Sequence, residues 1–324
     1  MQTVRLGRTG LKVSVAGLGT GGHSRVGLRQ GKSFDESVAL VRTALDQGIN
    51  LIDTASAYGT EEVVGAAVRG RRHEVVLSTK EQIHKAGSDA AGTELIDGAE
   101  LARRDEVSLT RLAVDHIDIL HLHAVCTHQY DHCRRELVPA LIQLLEAGKI
   151  RFLGITERFA SETGHTMLER ALEDDVWDVL MVGHNLVNQT ARHHVLPTAR
   201  KRDLGVLCMF AVREALVSAD AASLLVRRLV DSGEVDSAEI DAADPLGFLL
   251  TEGVARSLPE AAYRFCRHSP GIDVVLTGTG SPHHLEENIR AINAPPLPPA
   301  VVERLHRIFR NASSASGQPQ RGQP

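Results

Sequence analysis

A (β/α)₈ TIM barrel with an N-terminal β-hairpin plug and a C-terminal extra helix is the fold this sequence predicts, and three observations predict it. Short apolar runs alternate with amphipathic stretches along most of the chain, the βαβα order of a parallel sheet. Eight such runs are present, the number that closes a barrel. Polar residues (Asp53, Tyr58, Lys80 and His123) stand at or just past the ends of successive runs, on the face where such barrels place their chemistry.

The elements follow in order. Val4-Arg5-Leu6 and Lys12-Val13-Ser14 flank Gly7-Arg8-Thr9-Gly10 and read as a hairpin able to close the barrel bottom. Strands are expected near 15–18, 49–53, 75–80, 117–123, 152–156, 178–183, 205–209 and 273–277. Helices are expected near 35–47, 61–69, 93–111, 136–147, 163–173, 191–202, 258–268 and 282–292. The spacing is irregular once. The long connection 211–256 reads as a lid or binding loop with short helices of its own, Ala222 to Ser232 being a candidate. Residues 296–310 read as a last helix, so that 1–310 form one barrel domain, and the Ser/Gly/Gln/Pro-rich tail 311–324 is expected to be disordered.

A chain of 324 residues, 43% hydrophobic, can bury a large core. The net charge of −5, with both signs interspersed and only 3% aromatic residues, provides neither a basic stripe nor a stacking platform for nucleic acid. The first residues form no apolar run and no later stretch reaches the roughly 18 residues that span a bilayer, so a cytoplasmic protein without membrane partners is expected. Four scattered cysteines (Cys126, Cys133, Cys208 and Cys266) suit thiols better than a disulfide scaffold.

Asp53, Tyr58 five residues later in Asp53-Thr54-Ala55-Ser56-Ala57-Tyr58-Gly59, Lys80 ending Val75-Val76-Leu77-Ser78-Thr79-Lys80, and His123 ending Ile117-Asp118-Ile119-Leu120-His121-Leu122-His123 match a catalytic tetrad. With Gly17-Leu18-Gly19-Thr20, Gly148 to Thr156, Gly278-Thr279-Gly280-Ser281-Pro282 and Glu286-Glu287-Asn288, the chain resembles the aldo-keto reductases over roughly residues 3 to 309. The resemblance implies a reversible carbonyl–alcohol oxidoreductase in which Tyr58 gives the proton as general acid. Lys80 makes that proton easier to give, Asp53 keeps Lys80 charged, and His123 orients the carbonyl. Taken singly, the same residues would read as an ion pair, a loop tyrosine and a core histidine.

No strand-Gly-x-Gly-x-x-Gly-helix fingerprint is present, so the barrel itself must hold the nucleotide. Gly278, Thr279 and Gly280 precede a helix whose amides suit phosphate. By resemblance, Glu287 and Asn288 touch the adenine end, and Gly19 and Thr20 join the cofactor set. Thr156 and Glu157 stand where many members hold the nicotinamide amide with Ser-Asn, Met181 replaces a Gln, and Met209 or Phe210 falls at the stacking position. An ionised Glu157 can accept from the carboxamide nitrogen but cannot donate to its carbonyl. The implied cofactor is NADPH, with NADH as the alternative because Gly278 and His284 take the place of more basic 2′-phosphate contacts.

Other readings compete. His121 and His123 share strand parity and both point into the barrel, an H-x-H that hydrolases use for metal, but on later strands the chain offers only His184 on the sixth and Asp273 at the start, not the end, of the eighth, and His121 reads as a hydrogen-bonded residue one layer deeper. Ala124 to Cys133 clusters Cys and His in a spacing that fits no common zinc pattern, and reads as a loop over the site in which Cys126, Tyr130 or His128 meets substrate. No metal is expected. Rival functions are an NAD-linked aldose or polyol dehydrogenase and a nucleotide-sensing regulatory subunit without turnover. The substrate, which depends on the loops 20–34, 124–134 and 211–256, stays open.

Overall fold

The computed structural model describes residues 1–88 and 94–318. β3 (Ala16–Gly19), β4 (Leu51–Asp53), β5 (Val76–Gln82), β6 (Ile117–Val125), β7 (Ile150–Glu157), β8 (Val179–Gly183), β9 (Gly205–Met209) and β10 (Val274–Thr277) form a closed parallel barrel. Each strand pairs with the next in sequence, and β10 closes on β3. β1 (Thr3–Arg5) and β2 (Lys12–Ser14) form an antiparallel hairpin in the register Val4↔Val13. Leu6, just past β1, and Val13 in β2 are fully buried in a cluster with Leu51, Val76, Ile119, Val179, Leu207 and Val274, so the hairpin is the apolar floor of the barrel.

The surrounding helices are α1 (Phe34–Asp46), α2 (Glu61–Val68), α3 (Gly98–Leu112), α4 (Tyr130–His132), α5 (Val138–Glu146), α6 (Thr166–Ala171), α7 (Val195–Lys201), α8 (Ala219–Asp231), α9 (Leu258–Arg267), α10 (Pro282–Asn293) and α11 (Pro299–Ile308). Local chemistry explains several starts. Ser33 and Glu36 form a reciprocal capping box at α1, while Asp97, Ser218, Ser257 and Ser281 cap α3, α8, α9 and α10.

Three expectations need correction. The helix expected from residue 93 starts at Gly98, where Asp97 accepts from Glu100 N; residue 93 itself lies outside the described residues. The helix expected from 136 begins at Tyr130, because α4 runs through a π-turn (Cys133–Leu137) into α5. The disorder expected from Asn311 does not describe the segment through 318. Ala312, Ala315 and Ser316 are buried, the carbonyls of Ser313 and Ser316 accept from the buried amides of Asn188 and Asn185, and Glu234 accepts from the backbone of Ser313 and Ser314. A composition argument misses this because small polar residues can be ordered by backbone bonds to partners elsewhere in the chain. Residues 319–324 lie outside the described residues.

The long connection after β9 is α8 with flanking turns, and it packs against this tail, Ala215 N donating to Gly317 O. No helix among the described residues is long and apolar enough to cross a membrane.

The floor makes an expected outcome. Leu6 is fully buried and packs closely on Gly205, where a Cβ would lie 2.7 Å from Leu6 Cγ, so its truncation leaves a cavity in the floor. Leu6→Ala should lower unfolding free energy by about 2–5 kcal/mol in denaturant titrations, as for other buried leucines. Turnover per folded molecule should not change, because the floor is the opposite end of the barrel from the strand ends that carry Asp53 and His123.

Candidate active site

β4 ends in Asp53, and β5 carries Ser78 and Lys80 on its inward face, in the register Asp53↔Ser78. Asp53 Oδ1 accepts from Ser78 Oγ at 2.8 Å, and Oδ2 accepts from Lys80 Nζ at 2.6 Å. Lys80 Nζ also donates to Thr54 O at 2.7 Å. Both side chains are buried. Burial alone would lower the Lys80 pKa; the Asp53 carboxylate, with Tyr58, overcomes it and holds the ammonium above its ordinary value.

Tyr58 lies on a 3₁₀ turn (Ser56–Tyr58) directly after β4, tied to β5 by Ser56 Oγ donating to Lys80 O at 3.1 Å. Its ring centroid is 5.1 Å from Lys80 Nζ. The His123 ring meets it edge-on at 5.6 Å. Where β6 loses register with β7, Ala124 adopts φ 55° and its N–H donates to Thr156 Oγ1 at 2.6 Å, a bulge beside the site. Burial, then the charges of Lys80, His84 and Arg158, pushes the His123 pKa down to about 3, so the imidazole is neutral at ordinary pH. His121, one layer below, is fully buried with its ring on Gly154, where a Cβ would lie 2.2 Å from Nδ1.

The tetrad lines one end of a cavity of about 870 Å³. Of the residues proposed from sequence for the cofactor, Gly19, Thr156, Glu157, Met209, Phe210, Gly278, Thr279, Gly280, His284, Glu287 and Asn288 line the same cavity. Thr20 does not line it. Its hydroxyl is turned into a buried chain, 2.8 Å from Thr60 Oγ1, which is 2.9 Å from Thr54 Oγ1, and this chain fastens the turn that carries Tyr58. Glu157 lines the cavity, but its carboxylate is already engaged, accepting from Gly183 N at 2.8 Å and lying 2.9 Å from His165 Nδ1. Burial pushes this carboxyl up, and His165 opposes the shift. The residue that looked like an open acceptor is therefore mainly a tie between β7 and β8.

The far end is built from backbone. A Cβ on Gly278 would lie 2.8 Å from Gly19 O, and one on Gly280 would lie 2.1 Å from Gln30 Oε1 and 2.8 Å from Gly27 Cα. The loop before α10 thus runs close to its neighbours with no side chain between them, and Ser281 caps the helix.

Several lining residues were not legible in the sequence: Gly21, Arg158, Arg213, Arg256 and Arg290. Arg213 stacks its guanidinium 3.8 Å over Phe210. Only Arg290 carried a signal, lying three residues after Glu287 on the same helix face. Gly21 passes directly against the general-acid candidate, since a Cβ there would lie 2.5 Å from Tyr58 Cε2.

A barrel mouth with a buried Lys–Asp pair beneath a tyrosine and a neutral histidine is the layout of an oxidoreductase that works on carbonyls and alcohols. The profile of the Aldo/keto reductase family matches residues 17–310, and the chain belongs to that family. It is 30% identical over 299 residues to L-galactose dehydrogenase of Arabidopsis thaliana, covering 89% of this chain and 86% of the relative. Its fold is similar to the holo form of an aldo-keto reductase from Bacillus halodurans, with a TM-score of 0.70, 21% identity and 99% of both chains covered. It is likewise similar in fold to an aldo-keto reductase from Klebsiella pneumoniae in complex with NADPH, with a TM-score of 0.64, 24% identity and coverage of 99% of this chain and 96% of that one.

Two outcomes follow from the geometry. Gly21→Ala should displace the Tyr58 ring and lower kcat by about tenfold or more, since small misplacements at a reacting centre are costly; circular dichroism should show an unchanged fold. His123 should contribute no inflection to the pH dependence of kcat between about pH 5 and 8, because its proton is lost near pH 3.

Proposed function

We propose that this chain is an NADPH-dependent reductase of an aldehyde or ketone, running reversibly, with Tyr58 as the general acid. The observation that carries the reading is the Asp53–Lys80 pair set 5.1 Å from the Tyr58 ring in a cavity shared with the neutral His123. When bound, the nicotinamide supplies hydride to the carbonyl carbon. Tyr58 donates its O–H proton to the carbonyl oxygen, and Lys80 stabilises the phenolate left behind. Asp53 keeps Lys80 charged in a site where burial alone would strip its proton. His123, as a neutral imidazole, donates a hydrogen bond to the same oxygen and holds it facing Tyr58.

The other end of the cavity suits a dinucleotide. The glycine cradle 278–280 at the start of α10 offers backbone amides to the pyrophosphate. Thr156 and Met181 border the nicotinamide position, Met209 and Phe210 supply its stacking wall, and Glu287 and Asn288 border the adenine. The exposed Arg290 joins His284 on α10, giving the 2′-phosphate a guanidinium partner and favouring NADPH over NADH.

A second reading, oxidation of an aldose with an NAD-type cofactor, draws on the identity to the protein named L-galactose dehydrogenase. Initial rates in both directions, with NADPH, NADH and their oxidised forms across aldehydes, ketones and sugars, separate the two readings.

Tyr58→Phe should lower turnover by about 10²–10⁴ with nucleotide binding nearly intact, the range for loss of a general acid. A variant that keeps near-full turnover on a good substrate would overturn the assignment. Asp53→Asn and Lys80→Met should be strongly non-additive in the double variant, because both disturb one charge beside Tyr58. Multiplicative losses, measured on protein checked for folding, would speak for independent roles.

A further inference from the structure

The loop after β6 carries Cys126 and His128, and the loop after β7 carries Glu162. Cys126 Sγ, a ring nitrogen of His128 and a carboxylate oxygen of Glu162 lie within 4.8 Å of one another. None of the three belongs to the tetrad or the nucleotide end of the cavity. We propose that these side chains form a binding site for a divalent transition-metal ion of the zinc type, which joins the two mouth loops across the substrate side of the barrel.

The donor set has zinc chemistry. One thiolate, one imidazole and one carboxylate are the ligand types that zinc takes, and three protein ligands leave a fourth position for water. Tetrahedral zinc with bonds of about 2.0–2.3 Å places its ligand atoms roughly 3.3–3.8 Å apart. The three donor atoms already lie within 4.8 Å of one another, and rotation of the exposed His128 side chain can bring them to that spacing.

Two of the ligands are already aimed by neighbours. Cys126 caps the short turn Thr127–Gln129, its sulfur accepting from Gln129 N, while Gln129 Oε1 accepts from Cys126 N at 3.0 Å. Glu162 is gripped at both oxygens by Thr127, whose N donates at 2.8 Å and whose Oγ1 donates at 2.7 Å. Such bonds leave lone pairs for a metal and fix ligand direction, the role outer-shell partners play at metal centres. Linear spacing conceals the site. His132 bonds to Ile96 O and Cys133 is buried in the core, so neither is available, and the third ligand comes from the next mouth loop, 34 residues beyond His128.

Binding is a proton-for-metal exchange. The Cys126 S–H proton passes to solvent as the sulfur–metal bond forms, while His128 binds neutral and Glu162 ionised. Ala124 at the end of β6, directly before one loop, and Arg158, Phe159 and Ala160 on the other line the cavity, so a metal clamp restrains the walls of the substrate region.

The test uses tag-free full-length protein freed of metal with a chelator and titrated with cobalt(II) alone, then with zinc(II) as competitor. One equivalent of cobalt should produce a thiolate-to-cobalt charge-transfer band that zinc abolishes, and one equivalent of zinc should raise Tm. Cys126→Ser should lose the band, because Cys126 is the cysteine beside His128 and Glu162 while Cys133, Cys208 and Cys266 belong to the hydrophobic core, and His128→Ala and Glu162→Gln should weaken cobalt binding by about tenfold or more. His128 is exposed, so His128→Ala keeps the fold and decides the matter if Cys126→Ser does not fold. A band that persists in folded Cys126→Ser, unchanged affinity in His128→Ala, or no band in the parent at millimolar cobalt would each overturn the site.

Discussion

The ion pair between Lys80 and Asp53 is the interaction around which the barrel mouth is arranged. Two opposite charges with almost no access to solvent are costly unless geometry and hydrogen bonding are nearly ideal. The strand register supplies both. Asp53 lies beside Ser78, Lys80 stands one inward position above it, and the chain turning out of β4 presents Thr54 O to the ammonium. The same turn continues into Ser56, whose hydroxyl returns to Lys80 O, and into Tyr58. Satisfying the buried lysine and placing Tyr58 beside it are one structural problem with one solution.

The charge of that lysine governs its neighbours as well. With Lys80 held positive, a second cation on the barrel axis is disfavoured, and His123 and His121 are both kept neutral by burial and by Lys80. The barrel axis therefore carries one cation, paired with Asp53, and two neutral imidazoles. The mouth's remaining cations, among them Arg158, Arg213 and Arg290, stand around the cavity.

Asp53, Lys80 and His123 were legible because they stand on strands with inward parity, and Tyr58 because it follows Asp53 by five residues in the turn out of β4. Gly278 and Gly280 were legible as lining of the same cavity, since a helix start follows directly. Thr20, Glu157 and the tail were not. Thr20 has the same hydroxyl whether it faces a nucleotide or Thr60, and Glu157 reads as an open acceptor until His165, eight residues on, is folded against it. The tail reads as disordered because its order comes from Asn185, Asn188 and Glu234.

By itself the sequence determined the barrel, its hairpin floor and the four polar residues of the mouth, because period and parity are local properties that survive without knowing which strands meet. Tertiary structure alone decided which lining groups are open and which are already paired. It also decided how closely Gly21 passes Tyr58 and that Glu162 arrives beside Cys126 and His128. These are distances between segments remote in the chain, set by loop paths that no hydrophobic period encodes.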